Sequence, residues 1–504
     1  MPISKFSLGE FQGFSKPQEI TIKPITFLFG PNSSGKSSIA RMLTLMQHSS
    51  FDAPPMNPKA VPTELIFSRP NERDLGGFDT LVHRHEIERN FEFAFTHKGR
   101  PTWIGKSQYL NNHSKNQTLT HAPDVLASFQ MRYANPGVLA YLSISFHDVE
   151  GSYFGQIQME ASEDTTVIES DTRGRPFRVT AIDSQFLALL ADFQSYKSAG
   201  FSRWGTKSAR PVDLKKLQED CRDGAGIVYL TQDLERQFGS HLAHGEVDGS
   251  ERQELELIED LIQDIGKFQK RAFLHINFVD SLRTIPNRID SFRFSSRVKL
   301  LRNGSNIVEW LLNKPDRTKD VSRLLEEVTS DRYSLTIEQL QVPHFEYLRY
   351  YALLLIDNES GVTVSFEDAG TGLSQMLPIL ANLALFDSPT SNSSVKEDRV
   401  LVIEQPELHL HPRMQAKLMD LIIDVAFRQS YTGSLILETH SEAMLMRLQR
   451  RIFERKIKVE DVSINFIEAI QGSSVLTQLR LDEDGSFKDR WPSSFSSIRR
   501  EDSF

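Results

Sequence analysis

The sequence predicts an α/β fold interrupted by a mainly helical insertion, and three observations predict it. The stretch Phe27-Leu28-Phe29-Gly30-Pro31-Asn32-Ser33-Ser34-Gly35-Lys36-Ser37-Ser38 fits G-x-x-x-x-G-K-[ST] at every fixed position, with an apolar run before it and a helix-like face after it. Two later runs, Arg399 to Ile403 and Ser434 to Leu437, are continuously apolar in the manner of buried parallel strands, and each ends in polar residues. Between these blocks, residues 184–275 carry apolar side chains at helical spacing.

The chain of 504 residues is long enough for several domain-sized units. Hydrophobic residues make up 39% and charged residues 25%, an ordinary soluble composition. No apolar run is long enough to span a membrane, and the N-terminus has no signal-peptide core, so a cytoplasmic protein without a membrane partner is expected. Cys221 is the only cysteine, which rules out an intrachain disulfide and a cysteine-based metal site. The net charge of −9 means that any contact with nucleic acid must come from a local patch.

Taken in order, residues 1–29 read as two or three strands. Phe6, Phe11 and Phe14 either wall an adenine pocket or pack as strand core, the commoner outcome. Ile22 to Phe29 feeds the glycine loop, and Ile39, Ala40, Met42 and Leu43 give the face of the following helix. A loop at 52–62 and a polar stretch at 99–124 interrupt a strand-rich region, with alternating runs at 87–97, 139–147 and 153–160 and a closing run at 167–182. After the helical part, residues 281–302 hold Arg283, Arg288, Arg293, Arg297, Lys299 and Arg302 against Asp290. This is either a solvated face or a phosphate-facing stripe. Residues 321–357 read as helix, strand, helix. A glycine-containing loop, Ser365 to Gln375, precedes an apolar helix from Met376. The strand at 399–403 then delivers Glu404-Gln405-Pro406-Glu407, the strand at 434–437 delivers Glu438-Thr439-His440-Ser441, and a basic helix follows.

Each polar cluster has a chemical reading. Gly30 and Gly35 let the loop Pro31-Asn32-Ser33-Ser34 curl so that several of its backbone N–H groups, with those of the helix start, turn toward a phosphate. Lys36 reaches the β- and γ-phosphates, and the Ser37 hydroxyl holds Mg²⁺. The carboxyl ends of parallel strands share one edge, so Glu404 is placed to bind the same metal, directly or through water, and His440 to meet a γ-phosphate or an attacking water.

The set GPNSSGKSS, EDAGTGLSQ, VLVIEQPELHLHP and ETHSE resembles the ATPases of the ABC/SMC-like class, and more narrowly the bacterial ATPases related to the overcoming-lysogenization-defect proteins. SLRTIPNR at 281–288 and DGSFKDRWPSSF near the C-terminus are similar to tracts in one branch of them. The resemblance covers 1–180 and 345–504. It implies a two-lobed ABC/SMC-type P-loop ATPase head with an inserted helical subdomain: lobe I at 1–183, the insertion at 184–345 and lobe II at 346–504. It also implies ATP and Mg²⁺ as cofactors, with Gly30 to Ser38 as one half of a site. Gly372, Ser374 and Gln375 of the signature loop form the other half, closing on the nucleotide of another copy. Self-association as a dimer or higher even-numbered oligomer follows, with a separate effector, a nuclease, controlled in anti-phage defence and a phage protein or nucleic acid as trigger. Some relatives carry a nuclease domain after the last motif. Residues 443–504 are too few for one, so the effector is expected to be a separate protein.

One position departs from the wider class. Gln405 stands where a glutamate usually orients water, and an amide cannot accept a proton as a carboxylate does. Either turnover is slow, or Glu407 or His440 handles the water. A DNA-repair or chromosome-maintenance ATPase, and a nucleotide-gated scaffold with little turnover, stand as rival readings.

Overall fold

A computed structural model describes residues 3–50, 64–70, 72–99, 125–161, 175–182, 227–230, 273, 275–291, 298–341, 349–387, 399–428 and 433–490. Cys221 and most of the expected helical insertion lie outside them.

Two sheets share the phosphate-loop helix. The first is antiparallel and has eight strands in the order β2-β1-β4-β5-β6-β7-β8-β9. Its members are β1 (Ile3–Gly9), β2 (Gln18–Thr21), β4 (Phe91–Gly99), β5 (Val125–Ala134), β6 (Val138–Asp148), β7 (Tyr153–Ala161), β8 (Arg175–Ile182) and β9 (Ile227–Leu230). The alternation of Phe91, Phe93 and Phe95 puts all three on one buried face. Phe6 in β1, and Phe11 and Phe14 in the connection between β1 and β2, are likewise fully buried and belong to the core under this sheet.

The second sheet has six strands in the order β10-β15-β16-β3-β17-β18. These are β3 (Ile25–Phe29), β10 (Ile276–Val279), β15 (Arg399–Glu404), β16 (Gly433–Thr439), β17 (Val462–Ile470) and β18 (Ser473–Leu479). All neighbours run parallel except β17 and β18. Its central strands are apolar on both faces because both faces are covered. Val400, Val402 and Ile436 face the antiparallel sheet and α1 (Lys36–Ser49). Leu401, Ile403, Leu435 and Leu437 face the helices of the second core. Those helices, after α2 (Phe78–Leu81), are α3 (Ile307–Leu312), α4 (Pro315–Thr329), α5 (Thr371–Asp387), α6 (Pro412–Phe427) and α7 (Glu442–Phe453).

Two expectations need correction, and a third is only partly in view. Of the stretch 184–345, the described residues include β9, which extends the antiparallel sheet, and β10, which forms an edge of the parallel one; most of the expected helical insertion lies outside them. Four-residue strands leave too short a pattern to be read against helical surroundings. The second helix expected within 321–357 is β13 (Tyr350–Asp357), paired antiparallel with β12 (Tyr333–Leu340), β11 (Asp290–Ser291) and β14 (Thr363–Ser365). Its run Ala352-Leu353-Leu354-Leu355 has good helix propensity, and strand pairing overrides it. Helix α5 begins at Thr371 rather than Met376, which takes Gly372, Leu373, Ser374 and Gln375 out of the loop.

Candidate functional site

The parallel register assembles the site. Glu404 is the partner of Glu438, Glu438 of Leu28, and Thr439 of Phe29. The carboxyl ends of β15, β16 and β3 therefore lie side by side. The next residues along each strand, Gln405, His440 and Gly30, leave the sheet at the same edge. Val279 of β10 pairs with Ile403 and adds Asp280 to that edge.

The loop from Gly30 to Lys36 needs its two glycines. Gly30 has φ 150° and Gly35 has φ 104°, and a Cβ on them would come within 2.0 Å of the Ile467 oxygen and 2.4 Å of Ser474 Oγ. Helix α1 starts at Lys36 with no acidic residue of its own in the first turn, so its N–H groups and dipole favour an anion there. Lys36 Nζ folds back onto the loop, donating to the carbonyls of Gly30 at 3.0 Å and Pro31 at 2.6 Å. Burial lowers its pKa, while Glu438 and Glu407 pull the other way. Pro31, Asn32 and Ser33 are exposed, and Ser34, Lys36 and Ser38 are buried.

The acidic half of the site is more populated than the sequence suggested. Ser37 Oγ donates to Glu438 Oε1 at 2.7 Å. Burial, followed by the charge of Glu404, pushes the Glu438 carboxyl up to about 7, against the hydrogen bond from Ser37. Glu404 accepts from Arg73 Nη1 at 2.7 Å, and Arg73 also lies 3.9 Å from Asp280. Arg302 lies 3.2 Å from the same aspartate. The hydroxyl of Ser37 and the carboxylate of Glu404 are hard oxygen donors, the type that fits Mg²⁺. Among the described residues no three His, Cys, Asp or Glu side chains gather tightly enough to cage a metal alone. Nucleotide phosphates would have to complete the shell, which is the usual manner for Mg²⁺.

His440 is half-buried. Burial and then Lys36 lower its pKa, partly offset by a hydrogen bond with the Gly30 backbone. The imidazole is thereby favoured in its neutral form, able to accept a proton. Glu407 is committed elsewhere, accepting from Thr439 Oγ1 at 2.8 Å and from the His440 N–H at 2.7 Å. It fixes the turn that carries His440. Gln405 has φ 43°, and its N–H donates to the Glu438 carbonyl at 2.7 Å.

The signature residues sit otherwise than expected. Ser374 is fully buried and donates to the Phe366 carbonyl at 2.7 Å. Gln375 is buried too and donates to the Arg283 carbonyl at 2.6 Å. Both face the core because they occupy the first turns of a helix, where only Gly370 and Thr371 are exposed. Gly372 lies against the segment after Glu404; a Cβ there would come within 2.8 Å of the His409 oxygen.

The basic residues at 281–302 divide: Arg288 and Lys299 are exposed, while Arg283 and Arg302 turn inward. Arg293 and Arg297 lie outside the described residues. Arg288 is exposed and paired to Asp368. Arg283 is buried, donating to the carbonyls of Glu404 at 2.6 Å, Gln405 at 2.9 Å and Gln375 at 3.4 Å. Burial lowers its pKa to about 10, with Glu407 and Glu404 opposing. It ties β15 to α5. Sequence reasoning passed over Arg73, Glu438 and Asp280 as site residues, although Glu438 ends a buried strand just as Glu404 does.

Residues 242–446 match the family described as "AAA domain, putative AbiEii toxin, Type IV TA system". The match takes in the signature helix, Glu404 and His440 but not the phosphate loop. No curated protein matches the chain in sequence. Among solved structures the chain is similar to an SmcHead bound to the C-winged helix domain of ScpA, with 13% identity, TM-score 0.38, and coverage of 96% of this chain and 99% of that one. It is similar as well to the Smc head domain with an extended coiled coil bound to the C-terminal domain of ScpA from Pyrococcus furiosus, with 14% identity, TM-score 0.36, and coverage of 95% and 97%. The SMC head domain from Thermotoga maritima gives 9% identity, TM-score 0.33, and coverage of 96% and 100%. Identities and TM-scores this low leave the functional reading to the geometry of the site. That geometry is a phosphate loop feeding a helix at the carboxyl edge of a parallel sheet, with an antiparallel sheet alongside. The architecture is mixed α/β.

Proposed function

We propose that this protein binds ATP with Mg²⁺ and hydrolyses it, and that nucleotide binding holds copies of the chain together so as to control a separate effector. The observation that carries the reading is the convergence of Lys36, Ser37, Glu404 and His440 at one sheet edge. Phosphates seated over the loop would take Lys36 Nζ from the two carbonyls it now bonds. Glu404 and Ser37 would hold the metal, which neutralises charge on the phosphates. The neutral imidazole of His440 would meet the γ-phosphate or water.

A role in defence, with a nuclease as effector, is favoured by the sequence resemblance. The family matched at 242–446, described as a toxin of a Type IV TA system, points to the same kind of conflict function. Self-association would use the exposed Gly370-Thr371 tip of α5, since the side chains of Ser374 and Gln375 face inward. Identical sedimentation with and without a non-hydrolysable ATP analogue would count against that assembly.

Gln405 favours slow turnover as a second element of the reading. Its amide is no general base, and Glu407 is already engaged by Thr439 and His440. Steady-state phosphate release tests both points. Glu404→Gln should lose nearly all activity, because it removes a charge from the metal site. Gln405→Glu should raise the rate strongly. A wild-type enzyme turning over at about 10 per second that gains nothing from Gln405→Glu would rule out the slow-turnover reading.

A further inference from the structure

Glu404 and Glu438 are register partners on neighbouring parallel strands. Such partners project to the same face, with strands about 4.8 Å apart. Both side chains are almost wholly buried, at 4% and 3% relative exposure. The pair therefore brings two carboxylates together where water cannot separate them. Glu404 has Arg73 as a counter-charge. Glu438 uses Oε1 to accept from Ser37, while its Oε2 is buried with no hydrogen-bond partner. A buried acceptor left open costs about 1–3 kcal/mol, more when charged. It demands an occupant that the polypeptide does not supply. Lys36 bears on Glu438 as a charge without hydrogen-bonding this oxygen, and a cation beside Ser37 would satisfy it.

We propose that Glu438 is a direct ligand of the divalent cation that accompanies the nucleotide, joining Ser37 and Glu404 in a three-oxygen protein set. The inference rests on the nucleotide reading above and adds a residue to it. Two carboxylates and a hydroxyl from three adjacent elements leave the remaining positions to phosphate oxygens and water, as a hard octahedral cation prefers. Ser37 lies within hydrogen-bond reach of Glu438, so one ion can contact both after the hydroxyl hydrogen turns away. Arg73 occupies the counter-charge position on Glu404 and must yield at least part of it when a doubly charged ion enters. The second acid of this site would thus come from β16, the strand carrying His440, and not from position 405.

The test uses the full chain, Mn²⁺ as the probe ion and a non-hydrolysable ATP analogue, with free Mn²⁺ read by electron paramagnetic resonance. Glu438→Gln should weaken Mn²⁺ binding on the order of 10–100-fold, the scale of losses at metal-site residues. Analogue binding in EDTA should not weaken with it, because the lost contact is to the ion and not to the phosphates. Glu438→Cys should shift the preference from Mn²⁺ toward Cd²⁺, because a thiolate is a soft ligand. A purely structural glutamate would produce no such switch. Wild-type Mn²⁺ affinity in Glu438→Gln, or an unaltered metal preference in Glu438→Cys, overturns the assignment. An analogue that binds neither wild type nor variant, with or without metal, would remove the nucleotide reading and this proposal with it.

Discussion

Arg283 sends two guanidinium nitrogens to three main-chain oxygens, on Gln375, Glu404 and Gln405. It is 6% exposed, so no water replaces it. Arg283→Ala should leave those carbonyls unpaired and lower stability by about 3 kcal/mol, the size of a buried charge-assisted hydrogen bond. Arg283→Lys should recover part, because an ammonium is a point charge without the planar fork. Thermal denaturation checks both, and an unchanged melting temperature for Arg283→Ala would refute the anchoring role. In the sequence this residue stood among six basic side chains and one acid. Charge composition says nothing about which of them turns inward; here the partners are carbonyl oxygens, which leave no mark on a sequence. The phosphate loop was legible because its residues are consecutive and its glycines are sterically required. Arg73 was not, since its partner Glu404 is hundreds of positions away and only the fold unites them.

At the scale of elements, α5 and the segment after β15 touch through Gly372. A methyl group there would meet the His409 oxygen at 2.8 Å, a backbone atom that cannot swing aside. Gly372→Ala should therefore push the start of α5 away from the residues that follow Glu404. Overpacking of this kind typically costs about 1–3 kcal/mol. The expected outcome is a lower melting temperature together with weaker nucleotide-dependent self-association; wild-type behaviour in both measurements would show that the contact is not structural. Element types followed from the sequence where apolar patterning was long, as in β15, β16 and α1. The start of α5 did not, because Thr371-Gly372 reads as loop chemistry until burial of Ser374 and Gln375 pulls the helix back over it. Strand β10 was lost for a related reason: four residues, Ile276-Asn277-Phe278-Val279, gain their identity only by pairing with β15.

Across the whole molecule, one parallel sheet divides two cores, and alternate residues of each central strand serve one core or the other. The candidate site lies at the carboxyl edge of that sheet, where α1, β15 and β16 hand over their polar residues. A nucleotide bound there would touch the helix packed under the antiparallel sheet and the strand that Arg283 ties to α5. Events at the phosphates can thus be felt on both faces of the sheet. The account as a whole stands on a nucleotide occupying this edge. Equilibrium titration of ATP against the wild type and Lys36→Ala, in Mg²⁺ and again in EDTA, tests that most directly. Wild type should bind in both conditions and more tightly with Mg²⁺. Lys36→Ala should be on the order of 100-fold weaker, as expected when a positioned phosphate-binding charge is lost. Equal affinity in the two proteins would contradict the account.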